Sequence, residues 1–537
     1  MELTRRTALA TSAAIAAIAA SVNSPGSAFA QETPRRGGIM TVHFATEQRI
    51  LNPSLQASTG VYIVGGKIQE PLVDLDASGN PTACLAESWE SSADGKTITF
   101  KLRQGVTWHD GRPFTSADVQ FTAMEMWKKI LNYGTAVQLF LEAVETPDAH
   151  TAVFKYGRPM PLGLLLRALP DLGYVSPKHI YEGTDIRQNP ANTAPIGTGP
   201  FKFVQYERGQ FIIADRNPNY WRPNLPYLDR VVWRVISDRS AAAAQMEAGQ
   251  ILYSPFSSLA LADLARLGRD PRFEVTTRGN EGNPRTNTLE FNFRNPILAD
   301  IRVRKALAHA INVPFFIENF LNENYAKPGT GPIPTVSTDF YPTSPMPQYP
   351  YDKALAMRLL TEAGHRPGAG GVRFTLRLNP APWGEDIGLF STFIQQSLQE
   401  VGIRVEIVRT DAAGFLRTVY NDWNFDLATG WHQYRNDPAV STTVWYRTGS
   451  PRGAPWTNQF GFEDTQIDGI IDAAATELDP VKRKSLYADF VRRGNSEQLL
   501  WNPMEQLFLS AFSRKLRNHG NMPRWGSSSW HDLWIAP

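Results

Sequence analysis

The chain has little of what marks several common kinds of protein. It carries one cysteine, Cys84, in 537 residues, so no disulfide forms within it. Its nine histidines are scattered, and none stands in an HExxH pair or another metal-ligand spacing. No G-x-S-x-G nucleophile elbow occurs. Charge of one sign is missing too: 54 basic against 52 acidic side chains give no field to hold nucleic acid or an anionic membrane. The segment GVYIVGGKI, Gly60 to Ile68, fails as a phosphate loop. Its spacing is one residue too long, and Ile68 stands where a Ser or Thr must reach magnesium.

What is present begins with an export pattern. Arg5 and Arg6 precede an Ala/Ile-rich run from Ala8 to Val22, and Ala28-Phe29-Ala30 gives an A-x-A cleavage site. The run is too short and too Ala-rich for a membrane span, which needs roughly 20 strongly apolar residues. Thr4-Arg5-Arg6-Thr7 resembles a twin-arginine signal, although Ala8 replaces the usual aromatic. No cysteine lies at the cleavage point, so a lipoprotein anchor is not expected, and the product is read as periplasmic. The first 30 residues hold two basic and one acidic side chain, leaving 52 against 51 in the remainder. About 500 residues exceed what one hydrophobic core usually supports, so two or three lobes are expected.

Along the chain, Ile39 to Phe44 reads as a first strand, with a loop from Glu47 to Pro53. Ile98, Phe100 and Leu102 alternate with polar residues as a half-buried strand does. Ser116 is placed to cap a helix over 117–130, and Asp300 and Asp352 to cap two more, the latter burying Leu355, Leu359 and Leu360 and stopping at Gly364. A strand over 374–378, a helix over 387–401 and a strand over 404–408 make the alternation of a layered α/β lobe. A further strand, Phe425 to Thr429, leads into GWHQYRNDP, Gly430 to Pro438.

Five stretches in order carry a resemblance: KIQEPLVDLDASGNPTACL (67–85) with LAESWESSADGKTITFKLRQGVTWHDGRPFTSAD (85–118), PIGTGPFKF (195–203), NPNYWRPNLPYLDRVVW (217–233), LEFNFRNPILADIRVRKALAHAIN (289–312) and YDKALAMRLLTEAG (351–364). They resemble the extracellular solute-binding proteins of family 5, receptors of ABC importers for peptides, nickel complexes, opines and some sugars. The resemblance implies an α/β, periplasmic binding protein-like fold of type II, three-lobed, with hinge closure around a ligand. It implies a signal peptide over 1–30, a first ligand-binding domain in three pieces (37–81, 195–293 and 500–537), an inserted β-rich domain over 82–194 and a second ligand-binding domain over 294–499. A monomer is implied, with no cofactor and no catalysis, that delivers a small solute to a membrane permease and its ATPase. A peptide-like solute is the main reading; a carbohydrate or opine receptor on the same fold and, more distantly, a secreted hydrolase stay open.

The resemblance also marks ligand residues. In peptide-binding members an aspartate three residues after the tryptophan of the 430–438 segment holds the peptide α-ammonium; here that position is Tyr434. A tyrosine offers a hydroxyl and a π-face, not a formal charge. Trp431 matches a pocket tryptophan that stacks on ligand or else packs in the core. Arg435 either clamps a carboxylate or phosphate or is a solvated charge near the hinge. Asp437 completes the segment, and in the family it caps the following helix more often than it touches ligand. Glu47, Gln48 and Arg49 occupy a loop that supplies a glutamate near the ligand in peptide binders, so Glu47 is the expected ammonium partner. His432 and Trp383 are further lining candidates.

Overall fold

Short polar caps decide where most helices begin. In the computed structural model, which describes residues 33–321 and 323–537, the Asp300 carboxylate accepts from Arg302 N at 2.8 Å and Asp352 from Leu355 N at 2.8 Å. The helices Ile301–His309 and Lys353–Glu362 start there. The second buries a narrower stripe than its leucines imply: Ala356 and Leu360 are buried, whereas Leu355 and Leu359 are only half-buried. At the helix expected behind Ser116 the cap is Thr115. Its partner Asp118 returns a bond to Thr115 N at 2.9 Å, a reciprocal pairing that Ser116 has no acid to make. Ser116 Oγ instead donates to Asp148 O at 2.6 Å. Regular α-helix covers Ser116–Phe121 and then widens into π-type turns over Thr122–Trp127.

The described residues divide into two compact units. One runs through Asn283 and resumes at Phe508–Pro537. Its seven-stranded sheet is centred on Ile39–Phe44, parallel to Arg230–Val235 with Ile39 opposite Arg230. The late strand Ser510–Ser513 inserts between Tyr253–Ser254 and Phe273–Thr276 and is antiparallel to both, which ties the C-terminal 30 residues to this unit. Trp233, Trp525 and Trp530 fill its core. The same unit carries a separate four-stranded antiparallel sheet, Ala86–Ser91, Thr97–Leu102, Thr151–Tyr156 and Leu141–Asp148, with Phe100 and Phe154 edge to face at 5.3 Å. Cys84 is buried just before it, and that burial pushes its thiol well up from the usual range.

The other unit, Pro284–Leu507, is a six-stranded mixed sheet in the order Ala326–Pro328, Met504–Gln506, Arg285–Phe291, Leu427–Gln433, Phe374–Pro380, Ile403–Ile407. Strands at both ends of this unit lie outside the 294–499 expected from sequence: Arg285–Phe291 sits in the middle of the sheet and Met504–Gln506 pairs with it. The 425–429 strand is displaced as well. It spans Leu427–Gln433, because all seven residues from Arg285 to Phe291 find a partner on it, Arg285 opposite Gln433 and Phe291 opposite Leu427. Gly430, Trp431, His432 and Gln433 therefore stand on a strand, with alternating faces, and not in the loop after it.

Candidate binding edge

Loops and side chains at the carboxyl ends of parallel strands are where open α/β sheets bind ligands. In the Pro284–Leu507 unit that end is built from the last residues of the parallel strands Phe374–Pro380 and Leu427–Gln433, the first residues of Arg285–Phe291, and the last of Met504–Gln506. Register sorts the side chains. Arg285 lies opposite both Gln433 and Gln506, and Asn287 opposite Trp431, so these five share one face. Thr286, His432 and Glu505 share the other.

This end is buried and rich in polar atoms that the protein does not satisfy. Asn287 Oδ1, both amide atoms of Gln506, Gln433 Nε2, Asn436 Nδ2, Thr286 Oγ1 and both ring nitrogens of His432 have no hydrogen-bond partner. Each such group costs about 1–3 kcal/mol if left dry, and buried polar groups in native proteins are nearly always paired. These unpaired groups gather at one end of one sheet, Asn287, Gln433 and Gln506 on one face and Thr286 and His432 on the other. His432 packs against Trp445 at 5.1 Å, and burial lowers its imidazole to about 3, so it presents a neutral ring.

Several charged groups around this end have partners within the protein. Asp437 is fully buried, and its two oxygens accept from Arg483 Nη1 at 2.5 Å and Nη2 at 2.8 Å, while Oδ1 also takes Ala439 N at 2.9 Å. Arg483 reaches on to Ala474 O and the Tyr487 hydroxyl, each at 2.8 Å. The expected place of Asp437 in the ligand set is thus corrected: its carboxylate is consumed by a buried ion pair and a turn. Asp386 Oδ2 lies 3.2 Å from Arg285 Nη2 as an ion pair but takes no hydrogen bond. Arg435 is buried with Nη2 3.5 Å from Gln433 Oε1, which removes the reading of it as a solvated charge. Tyr434 is a core residue: its hydroxyl accepts from Ser337 Oγ, and its N–H donates to Pro284 O at 2.9 Å. Trp431 is half-buried, with the Arg285 guanidinium 5.5 Å from its ring centre. Trp383 is half-buried and meets Phe415 edge to face at 5.2 Å.

Glu47, Gln48 and Arg49 belong to the other unit, where the Glu47 side chain and the backbone carbonyls of Gln48 and Arg49 are bonded. The Glu47 carboxylate accepts from the Tyr206 hydroxyl at 2.7 Å, Gly209 N at 3.3 Å and Arg208 Nη1 at 3.5 Å, and the Tyr206 bond foremost holds it below the usual carboxylate range. Arg208 also donates to Gln48 O at 3.0 Å and Arg49 O at 3.3 Å. The loop is knitted to the hairpin turn at 206–209.

Arg285, Thr286, Asn287, Asp386, Gln433 and Gln506 were not singled out from the sequence. A signal was there for the first three: RTNT, immediately before LEFNF, continues the strand with polar residues that a solvent-facing stretch would equally show. Gln506 gave none, since only the fold brings residue 506 beside residue 285. A pocket of about 250 Å³ in the same unit, between segments 311–331, 347–351 and 495–503, contains none of the expected residues.

These features define an α/β solute-binding protein of the periplasmic type, an assignment that comparisons carry to a family. The model of bacterial extracellular solute-binding proteins, family 5 Middle, matches residues 80–453, and the chain belongs to that family. It is 31% identical to an ABC transporter peptide-binding protein of Brucella ovis, over 81% of each chain. To the glutathione-binding protein GsiB of Shigella dysenteriae it is 26% identical, over 87% of this chain and 88% of the other. Its fold superposes on NikZ of Campylobacter jejuni, solved with Ni(L-His), with a TM-score of 0.81 at 21% identity, covering 92% and 97% of the two chains.

Proposed function

We propose that this chain is the substrate-binding component of an ABC importer and that it captures a peptide or peptide-like solute for a membrane permease and its ATPase. The observation that carries this reading is the buried end of the Pro284–Leu507 sheet, where carboxamide and imidazole atoms lie unpaired within the protein. Amide groups of that kind pair with the N–H and C=O units of a peptide. Two relatives described as peptide- and glutathione-binding support the class of solute. The chain acts by binding, without chemistry. We take the Pro284–Leu507 unit as one ligand-binding lobe, and the other unit as holding the second lobe together with the inserted 82–194 segment. Export to the periplasm rests on Arg5, Arg6 and the Ala28-Phe29-Ala30 site, which lie outside the described residues. Removal of residues 1–30 through the twin-arginine route, and a soluble monomer without a lipid anchor, complete the proposal.

The test is to purify the exported chain from its own host and weigh what it carries by native and denaturing mass spectrometry. A peptide-like mass supports the reading. A sugar, an opine or another non-amide mass overturns it.

A further inference from the structure

We propose that the cavity of about 250 Å³ in the Pro284–Leu507 unit is a second small-molecule site, which takes an uncharged ring compound bearing a carboxamide or lactam. Its walls come from segments 311–331, 347–351 and 495–503, and no residue of the binding edge belongs to them. The volume equals the share of about eight waters in the liquid, room for one ring with one substituent. Five prolines with Tyr349, Tyr351 and Trp501 give flat apolar surfaces, which suit a ring. Among the described residues that line it, none carries a formal charge. A charged guest would shed its hydration there without a counter-ion.

Two lining side chains hold unused hydrogen-bonding capacity. Gln498 is fully buried, and neither atom of its amide is bonded within the protein. Asn502 is buried with Nδ2 unbonded, while its Oδ1 accepts from the Tyr446 hydroxyl at 3.2 Å. Buried amides left so are costly and rare. A carboxamide answers Gln498 reciprocally, its N–H to Oε1 and its C=O from Nε2, and the second lone pair of that C=O suits Asn502 Nδ2. Neighbouring polar groups are already engaged: Asn495 Nδ2 donates to Thr330 O at 2.8 Å, and the Tyr349 hydroxyl to Asn495 O at 2.5 Å.

The backbone holds these walls in place. Gln498 has a φ of 44°, in the left-handed region where glycine costs least. It is kept there by its N–H, which donates to Asn495 O at 3.1 Å, and its carbonyl, which accepts from Arg304 Nε at 3.1 Å. Trp501 exchanges backbone bonds with Leu289 at 2.9 and 3.2 Å. A strained residue fixed from both sides, with an unbonded amide, is the pattern of a functional position.

The experiment offers the full exported chain four neutral probes, benzamide, nicotinamide, pyrrolidinone and valerolactam, beside the charged isosteres benzoate and benzylamine. Titrations at millimolar concentration are followed by saturation-transfer NMR, and crystals soaked in the tightest binder locate it. The expected result is a neutral probe seated between the three segments, with benzoate and benzylamine at least tenfold weaker. Gln498→Leu should weaken that probe at least tenfold and Asn502→Leu at least threefold, each in a chain whose circular dichroism matches wild type; the second variant serves alone if the first does not fold. Water alone in the cavity, a probe seated only elsewhere, charged isosteres bound equally well, or affinity unchanged in the folded variants overturns the inference. The reading of the binding edge stands in each case, because none of these outcomes touches its residues.

Discussion

Two polar segments were marked by the same reasoning, and the fold treats them in opposite ways. In the loop at Glu47–Arg49 the turn at 206–209 takes up the Glu47 carboxylate and the backbone carbonyls of Gln48 and Arg49. The end of the Leu427–Gln433 strand, with Asn287 and Gln506 beside it, keeps several buried atoms without any protein partner. Satisfied polar groups hold a structure together, whereas buried unsatisfied ones mark where the protein has kept capacity for something else. By that standard Glu47 works as scaffold, and the strand end fits the binding role proposed for it.

The contrast can be broken at its strongest point first. Removing one partner of the Asp437–Arg483 pair strands a buried charge, so Arg483→Ala should lower unfolding free energy by about 3–5 kcal/mol. Urea denaturation of the purified chain reads it, and a loss under about 1 kcal/mol would return Asp437 to the ligand set.

Next comes Glu290, whose burial lifts its carboxyl to about 8 from an ordinary 4.5. Between those values the folded state keeps a proton that the unfolded chain has shed, so this group's contribution to stability falls as pH rises. Glu290→Gln should therefore melt a few degrees above wild type near pH 8, with the gap closing toward pH 5. A gap that instead widens on acidification would mean the carboxylate is ionised and paired.

Smaller again is the effect of His432→Leu, which removes two unpaired nitrogens from the proposed binding end. Solute affinity should drop at least tenfold, about 1.4 kcal/mol, while the unfolding midpoint stays the same or rises. A variant that loses stability but keeps its affinity would make His432 plain core.

The smallest effect is expected at the loop. Glu47→Ala should cost about 1 kcal/mol of stability through the lost Tyr206 bond and alter solute affinity less than threefold by calorimetry. A tenfold fall in affinity would restore Glu47 as a ligand residue and erase the contrast.

Much of the fold was legible because local rules and tertiary demands agreed. The strand Ile39–Phe44 and the caps Asp300 and Asp352 stand where their patterns put them. Legibility failed where pairing across the sheet overrode local text. The 425–429 strand slid to 427–433 because Arg285–Phe291 supplies seven partners, and a glycine followed by Trp-His-Gln does not read as strand. The candidate site suffered most. Tyr434 and Asp437 were conspicuous by their alignment with a known ligand segment, yet their partners Ser337 and Arg483 lie 97 and 46 residues away. No local pattern announces a bond over that distance.

The buried thiol at position 84 has a practical consequence. As the chain's single cysteine, walled off from water and with its proton held tightly, it stays silent toward maleimides and similar reagents, which attack thiolates. A cysteine introduced at any exposed position would then be the one that takes a dye, with no native residue to delete first. The molecule is thus a ready chassis for a fluorescent reporter of its own solute.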